Sequence, residues 1–288
     1  MSTSGKKEYG GRAEEIVVVG VPFDANSSFL RGSAAAPRRI REAFGCQSSN
    51  LWTETGVDLG DLKGWRMGDD VDCSDRAAAM EGIERHIAAL LKQNARVISL
   101  GGDHSITAAT IGAYGRAFGE LTLVYVDAHP DLYDELDGNR DSHASSCARI
   151  MERNLVARLV QVGIRTLNGH QREQARRFGV EIIEMREIDK VGALEARGAV
   201  YLSVDLDCLD PAFAPGVSHH EPGGLATRDL LGMIHRLPGT LVGADIVEYN
   251  PSRDVNGMTA MVAGKLLKEI LGRMAGDALR LHNVADKQ

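Results

Sequence analysis

The sequence predicts an α/β fold with three layers, α/β/α, in which helices cover both faces of a mostly parallel central sheet. Short apolar runs of strand length alternate along the chain with longer amphipathic segments, and this alternation is typical of βαβ units. Several of the runs lack alternating polar residues, as expected for parallel strands that are buried on both faces. No linker or shift in composition divides the 288 residues. We therefore expect one domain over residues 13–288, preceded by a flexible tail over residues 1–12.

The strands are predicted from runs of apolar and β-branched residues. The first run covers residues 16–21, and the run over residues 121–126 leads directly into an acidic motif. Comparable runs cover residues 96–100, 159–164, 181–184, 199–204 and 240–247. Residues 55–58 are a weaker strand candidate, because they lie in an irregular polar segment.

The helices are predicted between these runs. Met80, Ile83, Ile87 and Leu90 recur at spacings of three and four residues, which indicates an amphipathic helix packed on the sheet. Pro37 suits the first turn of a helix that continues to residue 44. Further helices are expected after residue 105 and over residues 145–153, 171–178 and 259–274. The alternation of strands and helices thus continues to the end of the chain.

The composition excludes several classes of function. A formal net charge of −7 leaves no basic excess for a nucleic-acid or membrane-surface partner. No apolar run approaches the length of a membrane span, and residues 16–21 are too short for a signal peptide. The four cysteines lie far apart without a CxxC pair, so neither a disulfide framework nor a cysteine zinc site is predicted. We expect a reducing compartment and a cytoplasmic protein.

Side chains that can bind metal ions follow three of the predicted strands. The carboxyl ends of parallel strands share one edge of a sheet, and ligands of open α/β sheets bind beyond that edge. Taken alone, each aspartate could cap a turn and each histidine could be a hydrogen-bonded loop residue. Together they form a set of six oxygen and imidazole donors: His104, Asp127, His129, Asp131, Asp205 and Asp207.

The chemistry of these six donors favours a pair of divalent ions. Oxygen and imidazole ligands suit Mn²⁺ or a related ion, whereas thiolates would favour zinc. Four aspartates balance the charge of two divalent cations, and Asp127 and Asp205, one from each strand end, are the simplest bridging ligands. Two such ions about 3.5–4 Å apart activate water for hydrolysis of an electrophilic carbon or phosphorus.

Five motifs of the chain, in order, resemble the signatures of the ureohydrolase family of arginases and agmatinases. They are Gly-Gly-Asp-His-Ser at 101–105, Asp-Ala-His-Pro-Asp at 127–131, Ser-His-Ala-Ser-Ser at 142–146, Ser-Val-Asp-Leu-Asp-Cys-Leu-Asp-Pro at 203–211 and Glu-Tyr-Asn-Pro at 248–251. The resemblance extends from about residue 16 to residue 275. Residues 26–30 and 208–224 most resemble the plant-type arginases.

This resemblance implies an arginase-like fold and a centre of two Mn²⁺ ions, with Ni²⁺, Co²⁺ or Fe²⁺ as alternatives, that hydrolyses a guanidino group to urea and an amine. One ion would be held by His104, Asp127, Asp131 and Asp205. The other would be held by Asp127, His129, Asp205 and Asp207. The resemblance also implies a homo-oligomer, either a trimer or a hexamer.

The catalytic assignments are His143, Glu248 and Asp127. His143 matches the proton-shuttling histidine of the family, and a histidine near its unperturbed pKa suits protonation of a leaving amine. Glu248 matches the carboxylate that grips the guanidinium, and a planar cation is best held by a bidentate carboxylate. A loop histidine and a capping carboxylate are the alternatives.

The segment before His143 is predicted to bind the end of the substrate opposite the guanidino group. Asn139, Arg140 and Ser142 can receive a carboxylate, which favours an amino acid such as L-arginine. Asp141 would disfavour an acid and tolerate an amine, which favours agmatine. The choice between these two substrates therefore stays open in this segment.

Residues 218–220 also depart from the pattern of most of the family. His219 is expected to shape the guanidinium end of the site, and His220 either alters substrate size or faces solvent. The leading hypothesis is hydrolysis of L-arginine to L-ornithine and urea, and the alternative is hydrolysis of agmatine to putrescine and urea or of another small guanidino compound. A binuclear metallophosphatase and a metal-binding pseudoenzyme are more remote alternatives.

Overall fold

A computed structural model describes residues 15–285, with side chains up to residue 277. The chain forms one eight-stranded sheet in which every neighbouring pair is parallel, in the order β2-β1-β3-β8-β7-β4-β5-β6. The strands are β1 (Glu15–Gly20), β2 (Trp65–Met67), β3 (Ala95–Leu100), β4 (Leu121–Val126), β5 (Arg158–Ile164), β6 (Glu181–Glu184), β7 (Ala199–Asp205) and β8 (Thr240–Val247). The tail predicted over residues 1–12 lies outside the described residues.

Within residues 15–285, seven α-helices cover the two faces of this sheet. They are α1 (Ala36–Phe44), α2 (Ala79–Lys92), α3 (Ser105–Ala117), α4 (Ser146–Glu152), α5 (Gly169–Phe178), α6 (Thr227–Arg236) and α7 (Met258–Ala285). One buried cluster joins the sheet to α1, α6 and α7, and a second joins the other face to α2, α3, α4 and α5. The predicted three-layer α/β/α fold is confirmed. Within residues 15–285, none of the helices has the length and apolar character needed to cross a membrane.

Alternation along the strands explains the two clusters. Ile16 and Val18 of β1 pack into the first cluster, whereas Val17 and Val19 pack into the second. Successive side chains of a strand point to opposite faces, so a strand covered on both sides must be apolar at every position. The uninterrupted apolar runs of the sequence follow from this requirement.

The structure differs from the predicted elements at one edge of the sheet. Residues 55–58 do not form a strand of the sheet; Trp52 and Asp58 form an isolated antiparallel bridge, and Gly56 turns the chain with a positive φ of 84°. The edge strand is β2 instead, which pairs with β1 over only three residues. A strand this short carries too few residues for a periodic pattern to be recognised.

Other elements were missed or were longer than predicted. Helix α6 and a run of 3-10 helix over Met185–Ala193 had no counterpart among the predictions. Helix α7 continues past the predicted end at residue 274 to Ala285. The first two segments are short and interrupted by Gly and charged residues, which weakens a helical period, whereas α7 continues through Gly276, a residue type that often ends a helix.

The strand order brings the chemically important strand ends together. Strands β3, β8, β7 and β4 are the four central neighbours of the sheet, although they come from distant parts of the chain. Their carboxyl ends therefore lie side by side at one edge, and the polar motifs of the sequence follow all four. This edge holds the candidate site.

Candidate metal centre

The six predicted ligands converge where β3, β4 and β7 end. Two groups have their ligand atoms within 4.8 Å of one another: His104, Asp127 and Asp131 form one group, and Asp127, His129 and Asp207 form the other. Asp205 joins the first group, because its Oδ2 lies 3.0 Å from Nδ1 of His104. Asp127 belongs to both groups, which is the position expected of a bridging ligand.

The turn after β3 places His104 through a close backbone approach. A Cβ atom on Gly102 would lie 1.7 Å from the carbonyl oxygen of Phe23, so only glycine fits there. The backbone N–H of His104 then donates to Oε1 of Glu248 at 2.8 Å, which joins the end of β3 to the end of β8.

The spacing of the acidic motifs follows from local hydrogen bonds. Oδ1 of Asp127 accepts the N–H of His129 at 2.6 Å, and Oδ1 of Asp205 accepts the N–H of Asp207 at 2.7 Å. Each aspartate thus uses one oxygen to hold the backbone two residues further on. In both residues the remaining oxygen, Oδ2, lies within 3.0 Å of Nδ1 of His104.

Two buried atoms at the centre lack a hydrogen-bond partner among the described residues: Nδ1 of His104 and Oδ2 of Asp127. They lie 2.9 Å apart, but their orientation does not form a hydrogen bond. Nε2 of His104 is engaged by the hydroxyl of Ser203 at 2.9 Å, and that hydroxyl donates to Asp245 at 2.6 Å. A buried polar atom without a partner is costly, and a shared cation would satisfy both atoms. The residues therefore fit a metal site.

The pKa shifts at the centre reflect carboxyl groups that are crowded together at a buried site. Burial, followed by the charge of Asp127, raises the pKa of the Asp131 carboxyl to about 7. Burial and the charges of Asp207 and Asp127 raise the pKa of Asp205 well above its usual range. Burial alone would lower the pKa of His104, but the neighbouring carboxylates raise it well above the usual value. Bound cations would displace these protons.

His143 and Glu248 form a buried pair above the ligands. Nδ1 of His143 lies 2.8 Å from Oε1 of Glu248. Burial lowers the pKa of His143, but the charge and hydrogen bond of Glu248 outweigh burial and raise the pKa to about 9. Burial in turn raises the pKa of Glu248, and His143 shifts it below its usual value. Glu248 also has a positive φ of 63°, a conformation rare outside glycine that is found at functional sites.

A cleft opens over the centre and contains all but two of the predicted ligands in its lining. Its walls include His143, Glu248 and His219, together with side chains that the sequence analysis did not single out: Ser28, Tyr133, Leu136, Ala144, Thr166 and Gln171. Thr166 could have been found from the sequence, because it follows the carboxyl end of β5 by two residues. The others come from loops and helices whose placement depends on the fold.

The residues predicted to receive a substrate carboxylate have other partners. Arg140 pairs with Glu152 at 3.1 Å, and the Ser142 hydroxyl accepts the N–H of Ala144. Asn139 donates to the side chain of Asn26 at 3.2 Å, and Asp141 is exposed. The structure therefore places these residues outside the lining of the cleft, with Arg140 paired to helix α4 and Ser142 bonded within its own segment. Their roles in substrate binding stay predictions.

His219 and His220 have different surroundings. The His219 ring lies 5.3 Å from that of His143 and 5.6 Å from that of His129, measured between ring centroids. Burial and the charge of His143 lower the pKa of His219, which favours the neutral ring. His220 is exposed and its Nε2 lies 2.7 Å from the carbonyl oxygen of Pro215. Of the two, only His219 belongs to the lining of the cleft.

Comparison with known proteins identifies close relatives of this chain. A sequence model of the arginase family matches residues 14–272. A mitochondrial arginase 1 of Arabidopsis thaliana is 47% identical over 92% of this chain and 83% of its own length. The solved arginase of Medicago truncatula superposes with a TM-score of 0.86 at 43% identity, covering 92% of this chain and 89% of its own. A hypothetical agmatinase of Burkholderia thailandensis reaches 0.83 at 28% identity, over 91% and 86%.

The predicted cytoplasmic location is wrong by this comparison, since the Arabidopsis relative is named a mitochondrial arginase. The prediction used the four cysteines, all of which are free in the structure. Free thiols indicate a reducing environment, but they do not distinguish one reducing compartment from another.

Proposed function

The chain belongs to the arginase family of amidine hydrolases, and we propose that it hydrolyses L-arginine to L-ornithine and urea at this centre. The observation that carries the proposal is that two overlapping groups of candidate metal ligands lie at the cleft that His143 and Glu248 line. A hydrolase of guanidino groups needs ligands for activating ions, a carboxylate for the guanidinium and a group that moves protons. The cleft offers all three.

The proposed cofactor is a pair of Mn²⁺ ions. The donors are carboxylate oxygens and imidazole nitrogens, and such a set also accepts Co²⁺, Ni²⁺ or Fe²⁺. Ions bound there supply the positive charge that makes a water molecule nucleophilic at neutral pH. The identity of the metal is tested by metal analysis of the protein purified without added metal. Activity is then measured after reconstitution with each ion.

Glu248 is proposed to bind the guanidinium group of the substrate. It lines the cleft, and His143 and the N–H of His104 keep its carboxylate ionised despite its burial. A buried carboxylate attracts a planar cation more strongly than an exposed one, because water screens it less. His143 beside it is proposed to carry protons between the reacting groups and solvent.

Agmatine is the second candidate substrate. Arg140, the one cationic residue predicted to receive the carboxylate of arginine, pairs with Glu152 instead. A substrate without a carboxylate would not require Arg140 to leave this pair. In favour of arginine, the arginase relatives are 43% and 47% identical, whereas the agmatinase structure is 28% identical.

A urea assay with L-arginine and agmatine in parallel tests the proposal. The protein is loaded with Mn²⁺, and a chelated sample and p-nitrophenyl phosphate serve as controls. We expect urea from arginine at a clearly higher kcat/KM than from agmatine, and no phosphate release. A preference for agmatine would support the second candidate substrate and contradict the first. Failure of both substrates, with metal bound, would leave only another guanidino compound or a pseudoenzyme.

The proposed partner is this small guanidino substrate, with neither nucleic acid nor membrane involved, and the proposed assembly is a homo-oligomer of three or six copies. The acidic net charge of −7 supports the first part of this proposal. Light scattering on the metal-loaded protein tests the second part: a mass equal to one copy would contradict it.

A further inference from the structure

Both ring nitrogens of His143 have hydrogen-bond partners. Nδ1 lies 2.8 Å from Glu248, and Nε2 lies 2.8 Å from the hydroxyl oxygen of Ser28. The backbone N–H of Ser28 also donates to Nε2, at 3.2 Å. A proton that enters or leaves this ring must therefore pass through either the carboxylate of Glu248 or the hydroxyl of Ser28.

The two contacts from Ser28 define how His143 is held. A backbone N–H can only donate, so in the neutral ring Nε2 carries the lone pair and Nδ1 carries the proton that faces Glu248. When the ring is protonated, the hydroxyl oxygen of Ser28 is the acceptor within reach of Nε2. The hydroxyl can serve both states because it is a donor and an acceptor.

Ser28 also connects the ring with water. His143 is buried, with 8% of its surface exposed, whereas Ser28 is exposed and belongs to the lining of the cleft. The Ser28 hydroxyl thus lies between a buried imidazole and solvent.

The loop that carries Ser28 is fixed in place by hydrogen bonds to two distant parts of the chain. The N–H of Asn26 donates to Oδ2 of Asp103 at 2.9 Å, and the carbonyl of Asn26 accepts the N–H of His143 at 3.1 Å. The side chain of Asn26 accepts a further bond from Asn139 at 3.2 Å. Asp103 is itself fully buried next to the end of β3. The loop therefore presents Ser28 to His143 without rearrangement.

We propose that Ser28 is a positioning residue for His143, and that its hydroxyl relays protons between Nε2 and solvent. In the relay, the Nε2–H bond breaks as an O–H bond forms on Ser28, and the original hydroxyl proton passes to water. No electrons are transferred, and the reverse sequence returns a proton to the ring. The inference rests on the proposed function, because it supplies the route by which the hydrolytic site exchanges protons with solvent.

Steady-state kinetics of three variants test the relay. Ser28→Ala removes the hydroxyl, Ser28→Thr keeps it, and Ser27→Ala is the matched control in the same loop, where the Ser27 hydroxyl bonds only weakly to Asp103 at 3.3 Å. We expect Ser28→Ala to lower kcat about 10-fold or more, which is part of the roughly 100- to 10,000-fold that a positioned proton-transfer group contributes, with KM and bound metal unchanged. Added imidazole should restore part of the loss, Ser28→Thr should retain activity, and Ser27→Ala should behave as wild type.

A double variant separates the relay from a structural effect. In the His143→Ala background, Ser28→Ala should cause no further loss of kcat, since both changes interrupt one path. Wild-type kcat for Ser28→Ala, or a loss that multiplies that of His143→Ala, would overturn the proposal.

The nitrogen-15 chemical shift of Nε2 in His143 tests the positioning role of Ser28 independently of turnover. Ser28→Ala should change this shift, because it removes the 2.8 Å contact, while Ser27→Ala should not. If wild type releases no urea from any guanidino substrate, the proposed function fails, and an unchanged shift would then overturn the positioning role as well. An active wild type with an unchanged shift overturns the positioning role alone.

Discussion

At the residue scale, the carboxylates of the centre divide their two oxygens between the backbone and the metal site. Asp127 and Asp205 each bind the N–H two residues ahead with Oδ1 and direct Oδ2 to His104. Asp131 instead accepts the hydroxyl of Tyr125 at 2.6 Å, and the Tyr125 ring stacks on His104 at 4.3 Å. The ligands are thus oriented before any ion binds, which lowers the cost of ordering them.

Replacement of His143 tests its proposed role in proton transfer. His143→Ala should lower kcat by about 100-fold or more, because a positioned acid and base contributes at least that much. The ring touches Glu248 and Ser28, so bound metal should stay as in wild type. Loss of metal from the variant, measured by elemental analysis, would contradict the shuttle role.

Replacement of Glu248 tests guanidinium recognition. Glu248→Gln should raise KM by about 10- to 100-fold, the value of one charge-assisted hydrogen bond of roughly 1.5–3 kcal/mol. Glu135→Gln, which alters an exposed carboxylate near the cleft, is the control.

The Glu248→Gln variant should also lower the pKa of His143 from about 9, since the charge of Glu248 then no longer opposes the effect of burial. Titration of His143 by NMR measures this shift. Unchanged KM and turnover would remove Glu248 from the site.

At the scale of elements, the site depends on turns at the ends of central strands. The register of β3 with β8 pairs Leu100 with Ile246, so the turn after β3 meets the segment after β8 that carries Glu248. The N–H of Glu248 donates to the carbonyl of Gly102 at 2.9 Å, and the N–H of His104 returns to the Glu248 side chain. The predicted metal ligand His104 and Glu248, which is proposed to bind the guanidinium group, therefore share one hydrogen-bonded unit.

Gly102→Ala should break this unit. The added Cβ would lie 1.7 Å from the carbonyl oxygen of Phe23, and a backbone atom cannot move aside as a flexible side chain would. We expect a loss of about 1–3 kcal/mol or more in the free energy of unfolding, together with weaker metal binding. Gly119→Ala is the matched control, since nothing lies within 4 Å of its Cβ position. Equal denaturation midpoints for the two variants would contradict this account of the turn.

At the scale of the whole molecule, the sheet buries a cluster of charge that the apolar layers cannot neutralise. Two of the central strands, β4 and β7, deliver four aspartates to one edge, while two hydrophobic clusters cover the faces. Without cations, Asp131, Asp205 and His104 keep their protons to a higher pH than usual. Metal binding should therefore release protons and contribute to stability.

This coupling predicts how pH changes the effect of metal on stability. The folded, metal-free protein holds a proton on Asp131 up to about pH 7, whereas the unfolded chain releases it near its ordinary pKa of about 4. Its contribution to stability is therefore lost as pH rises from about 4 to 7. Protons compete with metal for Asp131 below about pH 7, so metal affinity rises as pH rises toward that value.

Melting curves with Mn²⁺ and with a chelator, recorded at about pH 5.5 and about pH 8.5, measure this coupling. The difference in Tm between the two samples should be larger at the higher pH. A difference that stays constant across pH would show that protons and metal do not share these ligands.

The sequence by itself determined the fold class, seven of the eight strands and the residue types of the centre. Apolar runs encode buried strands locally, and the motifs at residues 127–131 and 205–207 bring their own turn geometry, because each aspartate binds a backbone only two residues away. Such features depend on near neighbours, so they can be read without knowledge of the fold. The short edge strand β2 and helix α6 offered too weak a pattern.

Only the tertiary structure decided which distant groups meet. Ser28 reaches His143 across 115 positions of the chain, Arg140 turns to Glu152, and Tyr133 and Gln171 enter the cleft. The unpartnered atoms of the centre appear only when β3 and β4 are placed three strands apart, with β8 and β7 between them. The physical reason is that strand order and loop packing are set by the whole core, and a local pattern fixes a residue's conformation but not its distant neighbours.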